Sequence, residues 1–577
     1  MLALRCDDDY LDIGEISISL VLKSPILNDE DGSYSYNFSL PASNKNRKIF
    51  GFPHRIEGKN ITQIEVPCTI LFNGIQFLSG ILLVTEANEN QYECNFGAGK
   101  GEFNYQIRDK LMNEVYMGED IHLPSLDPSN LNFNDIITKF YPEINFALFP
   151  IKNEEYIDST YYPVTAAGKM YNYMNYYFAN PNIPDNSGFR FDITPFPYLA
   201  YFLDNIFKTF GYNNTNNPIA AHAELKKIVI FNVHSKALVI PQTINPVVGL
   251  KEHLPDITIS SFLKGLSSLF CLNYFFNNST RRVTLKFFKD ILKDKDVIDF
   301  SKNILSLPKI KYDSMNLSSS MKLMMNMDSS DQYASDNCKS IHKYNYRGSV
   351  NITTELPPSN NTGDDIFYVI LESSYYIWKY DDITQTMIWE YFCNELLPDY
   401  YIGNGENEIT KETEVSTLLM KKEMDDNVLG QGKAWLIPVT KQNGYFQNFA
   451  GSFENICAGR LLFYRGIFKD SNDMDYPLGS SDVYDFSWIK ISDANLALRW
   501  DGQYGLYENF WKDYIYWFLN IAKFVKFTKQ LSPIELRNID FSKKYRVNDQ
   551  NYLLKEIRVT LTNKEIKVAE IDAYTCP

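Results

Sequence analysis

The sequence lacks closely spaced residues of the kinds that bind metals or exchange disulfides. Its eight cysteines contain no C-x-x-C pair, and the nearest two, Cys68 and Cys94, are 26 positions apart. Its six histidines form neither an H-x-H nor an H-x-x-x-H pair. Zinc sites and thioredoxin-like sites are built from such short spacings. We therefore expect no metal and no other cofactor, and cysteines that are reduced and mostly buried.

Long apolar runs are also missing. A secretory signal needs an apolar core of about 7 to 15 residues near its start, whereas Arg5 and three aspartates at 7–9 place charges there. The most apolar window, Tyr514 to Phe527, contains Asn520 and two lysines, so it falls short of the roughly 20 apolar residues of a membrane helix. We expect no membrane span and synthesis in the cytoplasm.

Positive charge is scarce relative to negative charge. The chain has 56 lysines and arginines against 71 aspartates and glutamates, a net charge of -15. A chain of this charge is repelled by phosphate backbones. We therefore expect no tight binding to nucleic acid.

Catalytic motifs with the required spacing are absent as well. The glycine-rich stretches at 97–101 and 430–434 match neither a G-x-x-x-x-G-K-[ST] phosphate loop nor a dinucleotide turn, and no G-x-S-x-G elbow occurs. Adjacent residues of a strand point to opposite faces, so the aspartate pairs at 364–365, 381–382 and 425–426 are typical of solvated turns. The sequence predicts a protein that is not an enzyme, although a triad assembled from distant residues stays open.

Length and aromatic side chains are what the chain has in abundance. Its 577 residues are too many for one core, and its 39 Phe and 40 Tyr favour strands. We predict an α+β, β-rich, multidomain fold of small antiparallel β-barrels or sandwiches with a few packed helices. The predicted segments are an N-terminal β-domain (1–115), a Tyr/Asn/Pro-rich connector or peripheral lobe ending in a helix (116–220), a helix plus β-hairpin domain (221–320), a mixed β insertion of open topology (321–500), and an aromatic helix followed by β-barrel strands (501–577).

Local patterns place two elements in the first half of the chain. The Asn73-Gly74 dipeptide separates two alternating stretches, 61–72 and 75–86, and tolerates the positive φ angles of a two-residue hairpin. Farther along, apolar residues recur at helical spacing from Pro197 to a glycine at 211. This pattern predicts a helix that ends at that glycine.

Two further units follow the same rules. The stretch 257–270 has helical spacing with Ser260 or Ser261 as its cap, and 272–276 and 283–288 predict a hairpin after it. After residue 505, a wide aromatic stripe indicates a helix packed on a sheet. Alternating residues around polar stretches at 548–551 and 562–564 then predict short antiparallel strands.

A basic and aromatic segment at 41–56 is the candidate interaction surface. Arg47, Phe50, Phe52 and Arg55 combine the residue types that are enriched in the centres of protein interfaces. A loop folded back over its own barrel explains the same residues equally well, so both interpretations stay open.

Three pairs of segments resemble the tail-hub or baseplate-hub proteins of tailed bacteriophages and prophages, especially those of Bacteroidetes hosts. They are FSLPASNKNRKIFGFPHRIEG with VPCTILFNGIQFLSGILLV, ITISSFLKGLSSLFCLNYFFNNSTRRVTLKFFKDIL with VIDFSKNI, and GLYENFWKDYIYWFL with DFSKKYRVNDQNYLLKEI. Together they cover rather less than half of the chain. The resemblance lies in pattern and order, since no catalytic motif defines this family.

The resemblance implies barrels of the tail-tube type, arranged in a ring of self-associated copies, usually a homotrimer. Such a ring joins the tail tube to tip or baseplate proteins in the virion tail, and it has no cofactor. Two alternatives remain: a carbohydrate-binding or polysaccharide-degrading surface protein, which many tyrosines would suit, and the hub of another contractile injection system. The long stretch at 321–500 departs from a minimal hub and leaves room for an added peripheral or carbohydrate-binding domain.

Overall fold

The fold is known from a computed structural model. The structure describes residues 1–6, 9–26, 32–55, 64–122, 134–153, 173–178, 188–189, 192–237, 247–277, 280–311, 320–326, 328, 331, 344–358, 365–369, 374–394, 399–403, 408–425, 433–442, 445–446, 457–487 and 489–577. Strands predominate, arranged in several largely antiparallel sheets, with a few helices. The predicted α+β, β-rich class is therefore confirmed.

Strands occur along the whole chain. Strands β1 to β8 are Leu2–Cys6, Asp9–Tyr10, Ser17–Lys23, Ser33–Ser35, Phe38–Pro41, Ile64–Phe72, Ile75–Ala87 and Gln91–Ala98. Strands β9 to β17 are Ile121–His122, Phe146–Ala147, Ile151–Asn153, Tyr173–Met174, Tyr177–Phe178, Gly188–Phe189, Asp192–Ile193, Phe196–Pro197 and Asn213–Asn216. Strands β18 to β25 are Ile228–Ile230, His234–Ala237, Val247–Val248, Leu272–Asn277, Arg282–Phe287, Val297–Asp299, Ile304–Ile310 and Ser320–Met325.

The second half of the chain adds fifteen strands within the described ranges. Strands β26 to β36 are Asn345–Val350, Asp365–Val369, Ser374–Asp381, Thr386–Asn394, Tyr400–Ile402, Glu408–Thr413, Leu419–Asp425, Lys433–Thr440, Tyr445–Phe446, Leu461–Lys469 and Asp475–Ser480. Strands β37 to β40 are Phe524–Lys529, Lys544–Val547, Gln550–Thr562 and Ala569–Cys576.

The helices are short. The α-helices are Asn44–Ile49, Lys100–Ile107, Asn134–Ile137, Leu199–Thr209, Pro218–Ala221, Ile259–Phe270, Phe288–Lys293, Lys512–Asn520 and Pro533–Arg537. Single turns of 3-10 helix are Met112–Glu114, Leu225–Lys227, Leu250–His253 and Thr353–Glu355. A π-helical turn, Tyr507–Trp511, leads into the helix Lys512–Asn520.

One sheet of fourteen strands dominates the architecture. Its main strand order is β2-β1-β6-β7-β8-β4-β3-β39-β40-β37-β24, with β5 paired to β8, β38 to β39 and β23 to β38. The two chain halves meet where β3 pairs with β39, from Ser17 opposite Thr562 to Lys23 opposite Glu556. Strands from the first and last predicted segments thus form one continuous sheet.

Two large apolar cores support these elements. The first lies against the fourteen-stranded sheet and combines N-terminal residues such as Leu20 and Ile70 with C-terminal residues such as Val559 and Ile571. The second surrounds the helices Leu199–Thr209 and Ile259–Phe270 and takes in the aromatic residues of the π-helical turn and the helix after it. Burial of such large apolar side chains, at about 1.5 to 3 kcal/mol each, is the main force holding the layers together.

Several local predictions are confirmed. Asn73 (φ 50°) and Gly74 (φ 76°) form the turn between β6 and β7, as the Asn-Gly signal predicts. The helix Leu199–Thr209 ends just before Gly211 (φ 76°), and Leu272–Asn277 pairs with Arg282–Phe287 in the predicted hairpin.

One helix cap differs from prediction. The helix Ile259–Phe270 is capped by Thr258, whose side chain accepts a hydrogen bond from Ser261 N (3.2 Å), so Ser261 donates rather than caps. The aromatic helix ends at Asn520, and Phe524–Lys529 follows it as strand β37, paired with β40. The predicted tyrosine-rich lobe at 116–220 falls partly outside the described residues.

Candidate interaction surface

Strand β24 lies at one end of the fourteen-stranded sheet. It runs antiparallel to β37, from Ile304 opposite Lys529 to Ile310 opposite Val525. Among the residues that the structure describes, β24 pairs with β37 alone. A strand in this position presents a row of backbone N–H and C=O groups and is a template for pairing with another chain.

Three large apolar side chains of β24 are exposed. Leu305 is 61% exposed, Leu307 is 66% exposed and Ile310 is 53% exposed. A single exposed leucine needs no explanation, whereas three apolar residues on one edge strand form a patch of the kind that marks interaction sites.

The ladder between β24 and β37 is irregular. Its register shifts between Ile304 and Ser306 and again between Ser306 and Lys309, and Pro308 has no N–H to offer. The Ser306 hydroxyl anchors the strand by accepting hydrogen bonds from Thr528 N and Oγ1, both 2.9 Å. Bulges and proline prevent regular pairing with an arbitrary strand, so this edge favours a partner whose surface fits its irregular backbone.

The two ends of the sheet present different exposed side chains. At the β24 end, Lys302, Lys309 and Lys311 are exposed. At the other end, the two-residue strand β2 pairs with β1, which is its one strand partner within the described ranges. Asp9 and Asp12 are exposed there, and Tyr10 is 47% exposed. The β24 end therefore combines exposed apolar residues with lysines, and the β1–β2 end combines an exposed tyrosine with carboxylates.

The acidic end is held in place by the predicted basic segment. The helix Asn44–Ile49 is capped by Ser43, whose hydroxyl donates to Asp12 Oδ2 (2.6 Å). Asn46 is buried; its side-chain oxygen accepts from Asp12 N (2.9 Å), and its amide donates to Asp12 O (2.7 Å). Part of this segment therefore does fold back over its own sheet.

The four residues predicted for an interface have different surroundings. Phe50 is 3% exposed and packs edge-to-face on Tyr92, with ring centroids 5.5 Å apart, so in this conformation it belongs to the core. Arg47 donates to Glu89 O (2.8 Å) and is half-buried. Arg55 is exposed and lies over the half-buried ring of Phe52 at 4.6 Å. An interface role for Arg47, Phe52 and Arg55 stays a prediction.

Sequence reasoning missed strand β24. Its residues, ILSLPKI, contain both proline and lysine, which natural proteins place on edge strands. That signal is present in the sequence, but which side of the strand is covered depends on pairing with β37, more than 200 residues away.

The glycine-rich stretch at 97–101 has a packing role in the structure. A Cβ atom on Gly80 would lie 2.0 Å from Gly97 O, and one on Gly32 would lie 1.8 Å from Gly101 N. Gly99, with φ 55°, begins the helix Lys100–Ile107. Close backbone approach therefore accounts for Gly32 and Gly80, and the positive φ accounts for Gly99. The second stretch, at 430–434, lies mostly outside the described residues.

The cysteines are buried, as predicted. Cys6, Cys68, Cys94, Cys271, Cys457 and Cys576 are free and buried. Burial raises the pKa of the Cys94, Cys457 and Cys576 thiols to about 12, which keeps them protonated and unreactive. The side chains of the other two cysteines fall outside the described residues.

One aspartate departs from its predicted setting. The sequence predicts a solvated turn at Asp365, but this residue begins strand β27, is buried and accepts from Arg347 Nε (2.8 Å). Burial of the carboxylate is compensated by the guanidinium, which satisfies its charge. Asp381, in contrast, does lie in a turn, where it accepts from Ile383 N (3.1 Å) and Thr384 N (3.3 Å).

The described part of the chain offers no candidate metal centre. No group of three or more His, Cys, Asp or Glu side chains there is arranged to hold a metal ion. Within those same residues, no helix is both long and apolar enough to cross a membrane.

Comparison with known proteins gives weak likenesses. No protein-family description and no curated protein matches the sequence. Among solved structures, the 43 kDa tail protein of prophage MuSo2 from Shewanella oneidensis is 7% identical with a TM-score of 0.30, covering 99% of this chain and 97% of its own. A tail protein from Neisseria meningitidis MC58 is 7% identical with a TM-score of 0.29, covering 99% and 95%. TM-scores this low do not establish a shared fold.

Proposed function

We propose that the chain is a non-enzymatic structural component of a phage or prophage tail, acting as a baseplate or tail-tip hub that joins the tail tube to tip proteins. In this proposal its copies associate head to tail through the two ends of the fourteen-stranded sheet. The observation that carries the proposal is the contrast between those ends: a basic, leucine-bearing edge at β24 and an acidic edge at β1–β2.

Head-to-tail association follows from the chemistry of the edges. Two copies of the β24 edge would bring lysines together, and two copies of the acidic edge would bring carboxylates together, so like edges repel. Unlike edges attract, and Leu305 and Leu307 then lose water at the contact. A contact between different patches of identical subunits closes into a ring when the rotation per subunit permits.

A ring suits the hub that the sequence resemblance implies. Closing the ring covers both ends of this sheet in every copy, so neither end is left to recruit further chains. We propose a homotrimer located in the virion tail after synthesis in the bacterial host cytoplasm. The predicted residues Arg47, Phe50, Phe52 and Arg55, of which Phe50 is buried in this conformation, are our candidate contact for tube or tip proteins.

Charge reversal at one edge tests the association. The variant Lys302→Glu with Lys309→Glu should raise the dissociation constant of self-association about tenfold or more, since roughly 1.4 kcal/mol of lost attraction gives that factor. The measurement is sedimentation velocity or mass photometry, in which a trimer has three times the 66.9 kDa subunit mass. A matched control, Lys208→Glu with Lys251→Glu, changes charge equally on helices outside the sheet and should leave assembly intact.

A compensating variant distinguishes head-to-tail contact from other arrangements. Adding Asp9→Lys to the first variant restores opposite charges across the proposed contact and should restore assembly. This position leaves the hydrogen bonds of Asp12 undisturbed. Wild-type protein that stays monomeric at micromolar concentration, or a double reversal that does not recover, would refute the proposed contact.

A further inference from the structure

A separate four-stranded sheet presents an aromatic face. Its strand order is β26-β27-β28-β29, and one face packs on a small cluster around Ile366, Tyr368 and Tyr375. The pairing register places six other rings together on the opposite face. We call this set the aromatic face: Phe367, Tyr376, Trp378, Tyr380, Trp389 and Tyr391.

The rings of the aromatic face form cross-strand pairs. Trp378 lies opposite Trp389 with ring centroids 5.1 Å apart, and Tyr376 lies opposite Tyr391 at 6.1 Å. Phe367 meets Trp389 edge-to-face at 5.3 Å. The Trp389 indole also donates to Pro357 O (2.9 Å). These contacts fix the rings, so a ligand would bind a preformed surface at little entropic cost.

Two tyrosines of the aromatic face are open to solvent, one beside the hairpin tip and one opposite Tyr376. Tyr380 is 52% exposed and Tyr391 is 50% exposed, while the two tryptophans are half-buried. Successive rings on one strand are about 7 Å apart, because strands rise about 3.4 Å per residue. The face is therefore long enough to contact several units of a chain-like ligand.

The side chains combine flat apolar rings with polar tips. Tyr376, Tyr380 and Tyr391 end in hydroxyl groups, whereas the Trp389 N–H already donates to Pro357 O and the Trp378 N–H is buried. A sugar ring needs this combination, since its C–H bonds are attracted to the negative faces of aromatic rings while its hydroxyls need hydrogen-bond partners. A water-free contact with another protein would instead bury those polar groups, and each group without a hydrogen-bond partner would reduce the binding free energy.

The charges nearby disfavour an anionic ligand. Single-stranded nucleic acid also stacks on aromatic rings, but the surfaces that bind it are positively charged. The register places Lys379 and Glu390, which pair with each other (3.0 Å), on the opposite face, and the hairpin tip carries Asp381 and Asp382. The local surface is therefore neutral to acidic, and it would repel a polyanion.

We infer that the aromatic face is a binding site for a neutral polysaccharide. This site lies on the 321–500 segment and is independent of the sheet ends through which copies are proposed to associate. It would give a tail component affinity for glycan while assembly depends on other residues.

Affinity electrophoresis of the full-length chain tests the site. Native gels containing xylan, mannan or a β-glucan should retard the wild-type protein. Tyr380→Ala and Trp378→Ala should each raise the dissociation constant about tenfold, the loss expected when one stacking ring is removed. Tyr516→Ala, which removes a 62% exposed tyrosine from a helix elsewhere, should change it less than about twofold.

Two further variants distinguish lost glycan contacts from misfolding and from lost assembly. Tyr380→Phe keeps the ring and the fold, so it should bind better than Tyr380→Ala. The edge variant Lys302→Glu with Lys309→Glu should bind polysaccharide normally even if it no longer assembles. No retardation by any of the three polysaccharides, stronger retardation by heparin or a single-stranded oligonucleotide, or loss of self-association in Tyr380→Ala would overturn the glycan assignment.

Discussion

Replacing Arg465 by methionine should open the junction between strand β35 and the loops that cover it. Arg465 is 5% exposed, and its guanidinium donates to Glu224 Oε2 (3.2 Å), to Asp482 O (2.8 Å) and to Leu496 O (2.7 Å). Burial lowers the pKa of Arg465, and Glu224 opposes that effect. The arginine stays charged at neutral pH because its ordinary pKa is so high.

The loss of stability in Arg465→Met follows from the buried groups that would lose their hydrogen-bond donor. Glu224 is 5% exposed and keeps hydrogen bonds from Asn495 N and Leu496 N (3.0 Å), but it loses its positive partner. Breaking a buried ion pair from one side costs about 3 to 5 kcal/mol. Methionine fills part of the volume without replacing the donors, so we expect about 4 kcal/mol of local destabilisation.

Hydrogen exchange measures this local effect without assuming that the whole chain unfolds in one step. Peptides covering 461–469 and 494–498 should exchange several hundredfold faster in Arg465→Met, since 1.4 kcal/mol corresponds to about tenfold. Adding Glu224→Gln removes the stranded charge, so the double variant should be less destabilised than the sum of the single variants by about 1 to 3 kcal/mol. Additive effects, or a change below about 1 kcal/mol in Arg465→Met, would show that the ion pair does not hold this junction closed.

Three further predictions concern elements of the fold. Phe50→Ala should lower the free energy of unfolding by about 3 to 5 kcal/mol in urea melts, because a buried ring is lost. An effect near zero would show that Phe50 is not buried in the core. Burial lowers the pKa of His222, whose Nδ1 accepts from Glu224 N (3.2 Å) and Leu225 N (3.4 Å). The unfolded chain therefore binds more protons just below the ordinary histidine pKa, and stability should fall as pH drops through that range, a slope that His222→Gln should reduce. Gly74→Val should cost about 1 to 2 kcal/mol by thermal melting, since β-branched residues tolerate positive φ poorly; an unchanged melting temperature would contradict the hairpin geometry.

Short-range sequence signals predict the local structure well. The Asn73-Gly74 turn and the helix Ile259–Phe270 are each encoded within about fifteen residues, where turn chemistry and apolar spacing decide the conformation. The predicted cap of that helix is two or three residues too late, because threonine and serine side chains cap almost equally well. The strand Phe524–Lys529 escapes the same reasoning because its partner, β40, is about 45 residues away.

Long-range pairing could not be predicted from the same signals. The β3–β39 ladder joins residues more than 500 positions apart, and no periodicity encodes which strands will meet. The same limit of sequence-based prediction applies to Phe50 and Phe52. They have the same residue type and lie two positions apart, so the local sequence does not distinguish their surroundings. One is buried on Tyr92 and the other is half-buried beneath Arg55, which tertiary packing alone decides.

The β3–β39 ladder also sets the order of events during synthesis. A ribosome completes Ser17–Lys23 long before it reaches Glu556–Thr562, so the early strands wait through most of translation with one flank uncovered. During that wait the uncovered flank of β3 is open to pairing with another chain. A chain truncated within the intervening residues can never complete the ladder. Only full-length chains can then mature, which would keep defective subunits out of any larger particle.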